Sequence, residues 1–357
     1  MIFMRFKPDL KILLVFFISS ALLSGGCTKL AYYRQSVSGH LDVINKRRDI
    51  SDILADPDAA PELKQKLEAV LKIRAFAVTE LALPDNESYQ SYADIERPFV
   101  VWNVFATPKL SVTPESWCFL FAGCVSYRGY FSKEKAHEFA GKLSGQDLDV
   151  YVAGITAYST LGWFDDPVLN TVINKPLPDL AGLVFHELAH QKIYVKGDTR
   201  FNESFATAVE LEGIRRWLNS KGLDSDYASY LERKKKRDEF VALVLRYRDK
   251  LRTLYQSEKS NEEKLIEKQK YFSQLKQEYR RIKVRWGGYE HYDNWFSQDL
   301  NNAHLASMGA YYSLVPGFQA LLKASDYNLK LFYQRVDEIG RLNKSERLNR
   351  LQETFVR

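Results

Sequence analysis

The chain has 357 residues, 45% of them hydrophobic and 13% aromatic, enough apolar material for one large core or two modest ones. A charged fraction of 27% beside that aromatic content excludes wholesale disorder. The formal net charge of +6 is modest, and no basic face interleaves with stacking aromatics, so no nucleic-acid partner is indicated.

Residues 1–26 read as an export signal. Arg5, Lys7 and Lys11 give a basic start, and Ile12 to Leu23 give an apolar run too short for a comfortable membrane span. Ser24, Gly25 and Gly26 then precede Cys27. The order resembles a bacterial lipoprotein signal, with Leu23 one place earlier than usual. That resemblance implies a lipid on Cys27 and a body lying outside the cytoplasm. Thr28 fits sorting to the periplasmic face of the outer membrane. The plain alternative is an uncleaved N-terminal anchor with an incidental cysteine.

Residues 27–98 form an N-terminal helical region. Leu41, Ile44, Ile50, Ile53 and Leu54, then Leu63, Leu67, Val70, Leu71 and Ile73, keep helical spacing over 36–82, with Pro57 and Pro61 as punctuation. From Phe99 to Phe131 the pattern turns to short strands: Val100 to Phe105, Trp117 to Phe121 and Val125 to Phe131. Cys118 and Cys124 make an even pair, which in an oxidising compartment predicts a disulfide closing a short loop. Two free, buried cysteines are the alternative. Residues 133–144 are helical again and Asp149 to Thr156 extended, so a small sheet is expected ahead of the central helices.

Pro178-Asp179 opens a helix that continues to about Val195. Gly197-Asp198 breaks it, and a second helix starts near Asn202, a good N-cap residue, and runs to about Leu218. Residues 99–220 thus form a central core. The region 221–357 is helical throughout. Residues 227–285 form a long antiparallel hairpin turning at Ser257–Asn261, and its basic run Arg233 to Arg237 reads as a solvated helix face. Gly287-Gly288 ends the hairpin, and a last helical block covers Asn301 to Gln352. The predicted class is α+β, predominantly helical.

The chemistry lies in the central core. His186-Glu187-Leu188-Ala189-His190 is a His-Glu-x-x-His segment, which on a helix puts two imidazoles one turn apart on one face with a carboxylate beside them. Two neutral imidazoles can hold Zn2+, and Glu187 can take a proton from water at the ion. Asn202-Glu203-Ser204-Phe205-Ala206-Thr207 supplies a third candidate ligand. Glu203 and Glu210 share a helix face but stand about 10 Å apart, so both cannot bind one ion.

The stretch from Asn202 to Glu210 resembles the second motif of the gluzincin metallopeptidases, especially the thermolysin-like catalytic domain of their aminopeptidases. Twelve residues separate His190 from Glu203, fewer than in that pattern. The resemblance implies a zincin core in which Glu203 ligates zinc and Thr207 and Glu210 orient the imidazoles. It also implies an oxyanion-stabilising tyrosine in the C-terminal part, for which Tyr311 (beside Tyr312) is the candidate. An edge strand at Gly154, Ile155, Thr156, Ala157 and Tyr158 would pair with the backbone of a peptide substrate.

Beyond these motifs, Tyr32-Tyr33-Arg34-Gln35, Trp117-Cys118, Gly123-Cys124, Tyr127-Arg128-Gly129-Tyr130-Phe131 and the stretches Ala157–Pro167 and Phe185–Glu210 complete a wider likeness. Together they resemble the bacterial lipoprotein family known as predicted aminopeptidases. The likeness implies an exported, lipid-anchored zinc peptidase that acts on peptides. Removal of an N-terminal residue needs an acid for the free amine, and Asp165, Asp166 and Asp198 are the candidates. An endopeptidase fits the same zinc chemistry. A non-catalytic zinc-binding lipoprotein, serving as a scaffold in the cell envelope, is the alternative from another class.

Overall fold

The computed structural model describes residues 32–119, 123–157, 160, 164–222, 224–309 and 314–356. The predicted signal 1–26, Cys27, Tyr158, Tyr311 and Tyr312 lie outside the described residues.

Helix α1 (residues 32–45) leads into β1 (Arg47–Asp49), α2 (Ile50–Ala55) and α3 (Pro61–Thr79). The helical reading of 36–82 therefore holds, except for β1. This strand pairs antiparallel with β2 (Ser91–Ala93), which pairs in parallel with β8 (Val168–Leu169). β2 and β8 are too short to leave a period-2 pattern, so this sheet was not anticipated.

The second sheet is the predicted one. β3 (Val101–Pro108) lies between β6 (Arg128–Tyr130) and β7 (Leu148–Ile155), both antiparallel to it. β4 (Trp117–Phe119) and β5 (Gly123–Val125) form a separate hairpin, in which Cys118 faces Cys124 and a disulfide joins them. Helix α4 (Lys133–Ser144) packs on the β6-β3-β7 sheet through Ala136, Ala140 and Leu143, after an N-cap in which the Ser132 hydroxyl accepts from the Lys135 amide.

After the short α5 (Asn170–Ile173) come α6 (Leu177–Lys192) and α7 (Thr199–Lys221). Pro178 sits in the first turn of α6, where its missing N–H is no loss. α7 begins earlier than expected. Its N-cap is Asp198, whose carboxylate accepts from the Phe201 amide. Asn202 lies inside the helix instead, and its buried side chain bonds both the N–H and the carbonyl of Val195, fixing the connection between the helices.

Two glycines set how closely these helices approach. A Cβ at Gly182 of α6 would meet Ile214 Cδ1 at 2.6 Å, and one at Gly213 of α7 would meet the Phe185 ring at 2.5 Å. Each helix thus inserts a large side chain where the other has none.

The hairpin is present as predicted: α8 (Asp224–Gln256) and α9 (Asn261–Arg285), the latter opened by a capping box between Ser260 and Glu263. A short α10 (Asp293–Ser297) follows, and the final block is four pieces rather than one run: α11 (Asn302–Gly309), α12 (Val315–Lys323), α13 (Leu329–Gly340) and α14 (Lys344–Val356).

The largest apolar core joins α2, α3, α6 and α7 with α12 to α14. A second core fills the space between α8, α9 and α11. The class is α+β with helices dominant, as expected. Among the described residues no helix is long and apolar enough to cross a membrane.

Candidate metal centre

Helix α6 carries His186 and His190 one turn apart, their rings edge to face with centroids 4.9 Å apart. α7 crosses beside it and supplies Glu203 from its first turns. His186 Nε2 lies 3.3 Å from Glu203 Oε2, and His190 Nε2 lies 3.7 Å from Glu203 Oε1. One ligand atom from each of the three residues falls within 4.8 Å of the other two. On a tetrahedral ion with bonds of about 2.0–2.1 Å, neighbouring ligand atoms sit about 3.3 Å apart. Two imidazoles and a carboxylate at such separations fit a zinc ion.

Glu210 stands on the other side of the same imidazole. Its Oε2 is 3.2 Å from His186 Nδ1, so it can accept the Nδ1 proton and leave the Nε2 lone pair facing Glu203 and His190. The seven-residue spacing of the two glutamates thus grips His186 from both nitrogens. Among the described residues His190 has no such partner: its Nδ1 is buried without a hydrogen bond. Thr207 is buried one turn after Glu203 and makes no hydrogen bond to either imidazole among the described residues.

The charges of the site are strongly coupled. Burial alone would lower the His186 pKa, but Glu203 and Glu210 on either side outweigh it and hold the ring well above the ordinary range. Burial pushes the pKa values of both glutamates upward, and their bonds to His186 more than reverse this. His190 is pushed down by burial to about 4, which leaves a neutral imidazole at physiological pH. Glu187 goes the other way. Burial raises it to about 7, with the charges of Glu203, Asp166 and Glu210 adding to the rise against His186. A carboxylate tuned near neutrality suits a general base.

Two tyrosines not foreseen from sequence border this cluster. The pKa of Tyr127, between β5 and β6, is raised by burial and next by Glu203, with Glu187 contributing as well. That of Tyr194, just beyond α6, is raised by burial and Glu203. Tyr127 stands in one of the motifs that carry the family likeness, which gave it no role at the site, and among 21 tyrosines nothing in the sequence selected Tyr194.

Of the predicted docking edge, Gly154 and Ile155 pair with Trp102 and Val101 and end β7, an edge strand among the described residues. The Thr156 carbonyl accepts from the Thr171 hydroxyl at 2.6 Å, and Ala157 packs on the main core. A Cβ at Gly154 would meet the Phe99 ring at 2.6 Å, so packing by itself accounts for that glycine.

The acidic candidates for an amine anchor are largely committed. Asp198 is buried against Arg347, with its Oδ2 2.9 Å from Nη2. Asp166 accepts from the Thr160 amide at 3.0 Å and from Gln191 Nε2 at 3.4 Å. Gln191 also receives a bond from Asn86 at 2.7 Å, which ties the residue after His190 to the loop following α3.

The basic run on α8 departs most from expectation. Arg233 Nη2 lies 2.6 Å from Asp179 at the start of α6, and Arg237 Nη1 lies 3.7 Å from Glu210 Oε1. These two half-buried arginines pair with carboxylates of α6 and α7. Their four-residue spacing, one helical turn, was the available signal.

Compared with known families, residues 31–351 match the one described as "Putative aminopeptidase". The chain belongs to that family. Membership places it among peptidases and makes a peptide the expected substrate class. No curated protein and no solved structure matches it.

Proposed function

We propose that this member of the aminopeptidase family is an exported, lipid-anchored zinc peptidase of the zincin type, with Glu187 as general base. The observation that carries the proposal is the meeting of His186 Nε2, His190 Nε2 and the Glu203 carboxylate around one point, beside a buried Glu187. Bound there, zinc supplies a Lewis acid that polarises a peptide carbonyl and acidifies water.

The chain's own residues do the rest. His186, His190 and Glu203 hold the ion, and Glu210 fixes the tautomer of His186 through Nδ1. Glu187, a buried carboxylate beside the site, accepts the proton of the attacking water and returns it to the leaving amine. The end of β7 at Gly154 and Ile155, on an edge strand among the described residues, offers a strand for substrate backbone. Tyr311, Tyr127 and Tyr194 are the hydroxyls from which an oxyanion donor is drawn, and single Tyr→Phe variants distinguish them. Cys27 is the anchor that holds the enzyme at the periplasmic face of the outer membrane.

The test is hydrolysis of a peptide library by zinc-loaded protein. Glu187→Gln is expected to keep its zinc and lose activity by about a hundredfold or more. Undiminished turnover in that variant overturns the mechanism. Products shortened by one N-terminal residue establish an aminopeptidase, and internal cleavage an endopeptidase.

A further inference from the structure

Arg237 reaches the metal centre through one carboxylate. Glu210 offers Oε2 to His186 Nδ1 at 3.2 Å and Oε1 to Arg237 Nη1 at 3.7 Å, so its two oxygens face an imidazole and a guanidinium. The backbone leaves room for this. Gly182 lies one turn before His186, and a Cβ there would meet Glu210 Cγ at 3.2 Å and Oε1 at 3.4 Å. Tyr230 is two turns earlier than Arg237 on the same face of α8. It is 4% exposed and feels the charges of both Glu210 and Arg237. Arg233, between them on that face, pins α8 to the start of α6 through Asp179.

We infer that Arg237 is a positioning residue for the ligand His186: its guanidinium holds Glu210 against Nδ1, which keeps the Nε2 lone pair aimed at the ion. The inference rests on the zinc reading of the site and extends it to α8, which otherwise looks like one arm of a peripheral hairpin. The physical reason is the cost of an unpaired charge. Without Arg237 the buried Glu210 carboxylate faces the protein interior with one cationic neighbour fewer, and it relieves that by turning toward Lys234. That turn loosens its hold on the ring. A partner that orients a metal-ligating histidine is typically worth about 10- to 100-fold in metal affinity.

The experiment measures zinc affinity of the full chain by competition with a chromophoric chelator. Arg237→Gln is expected to bind zinc about tenfold more weakly, and Arg237→Lys, which restores the charge, to recover most of the loss. Arg233→Gln, which breaks the neighbouring ion pair, serves as the control and leaves affinity near the wild-type value. In a Glu210→Gln background, Arg237→Gln is expected to add little, because the group it acts through has gone. Wild-type affinity in Arg237→Gln overturns the inference, as does a full additional loss in the Glu210→Gln background. Should Arg237→Gln fail to fold, weak binding by Arg237→Lys equal to that of Glu210→Gln overturns it as well. Absence of zinc binding by the wild-type chain overturns the metal reading itself, a separate outcome.

Discussion

Replacing Glu187 by Gln is expected to stabilise the metal-free protein in a pH-dependent way. The carboxylate is buried with Glu203, Asp166 and Glu210 nearby, and its pKa is raised from 4.5 to about 7. A folded value above the unfolded one means the folded chain holds its proton more tightly. The stability this contributes is complete below the unfolded pKa and disappears as pH rises through the folded one. Between about pH 5 and about pH 8 the loss integrates to about 2.5 kcal/mol. Glutamine keeps the shape and removes the charge, so the variant escapes that loss. The assay is urea unfolding of chelator-treated wild type and variant at both pH values. The variant's advantage should grow by about 2.5 kcal/mol from the lower pH to the higher. With zinc restored the advantage should shrink, because the ion's charge favours ionised Glu187. An advantage that stays flat with pH refutes the buried, charge-crowded setting on which the general-base role depends.

Other perturbations test the same geometry. Glu210→Gln should weaken zinc binding by about 10- to 100-fold in equilibrium titration while leaving the fold intact. Gly182→Ala places a methyl 2.6 Å from Ile214 Cδ1 and should cost about 1–3 kcal/mol in chemical unfolding, with some loss of zinc affinity from displacement of Glu210. Asp198→Ala removes the cap of α7 and leaves Arg347 buried without its carboxylate, for which about 3–5 kcal/mol is expected in the same assay. Reduction of the Cys118–Cys124 bond reopens a short loop and should cost about 2 kcal/mol, read as a lowered melting temperature.

Helices α6 and α7 and the candidate ligands on them were legible because their information is local. The His-Glu-x-x-His spacing and the seven residues between Glu203 and Glu210 translate into faces once the segments are helical, and packing α6 on α7 turns those faces into a centre. What escaped is long-range. Asp198 and Arg347 meet across 149 positions, so no local pattern distinguishes Asp198 from Asn202 as a cap. Asn202, equally suited to capping, is taken instead by the Val195 backbone. The parallel pairing of β2 with β8 joins strands too short to show periodicity. A run of like charges says little about which member turns inward. Only the tertiary placement of α8 shows that Arg233 and Arg237 face carboxylates while Lys235 is exposed.

The proposed function depends on His186, His190 and Glu203 sharing one ion. X-ray absorption at the zinc edge of the purified chain reads that arrangement directly. The expected spectrum shows one zinc per chain, with nitrogen or oxygen donors at about 2.0–2.1 Å, multiple scattering from imidazoles, no sulfur, and a changed donor set in Glu203→Ala. A chain that holds no stoichiometric zinc, or a spectrum that is the same in Glu203→Ala, contradicts the account.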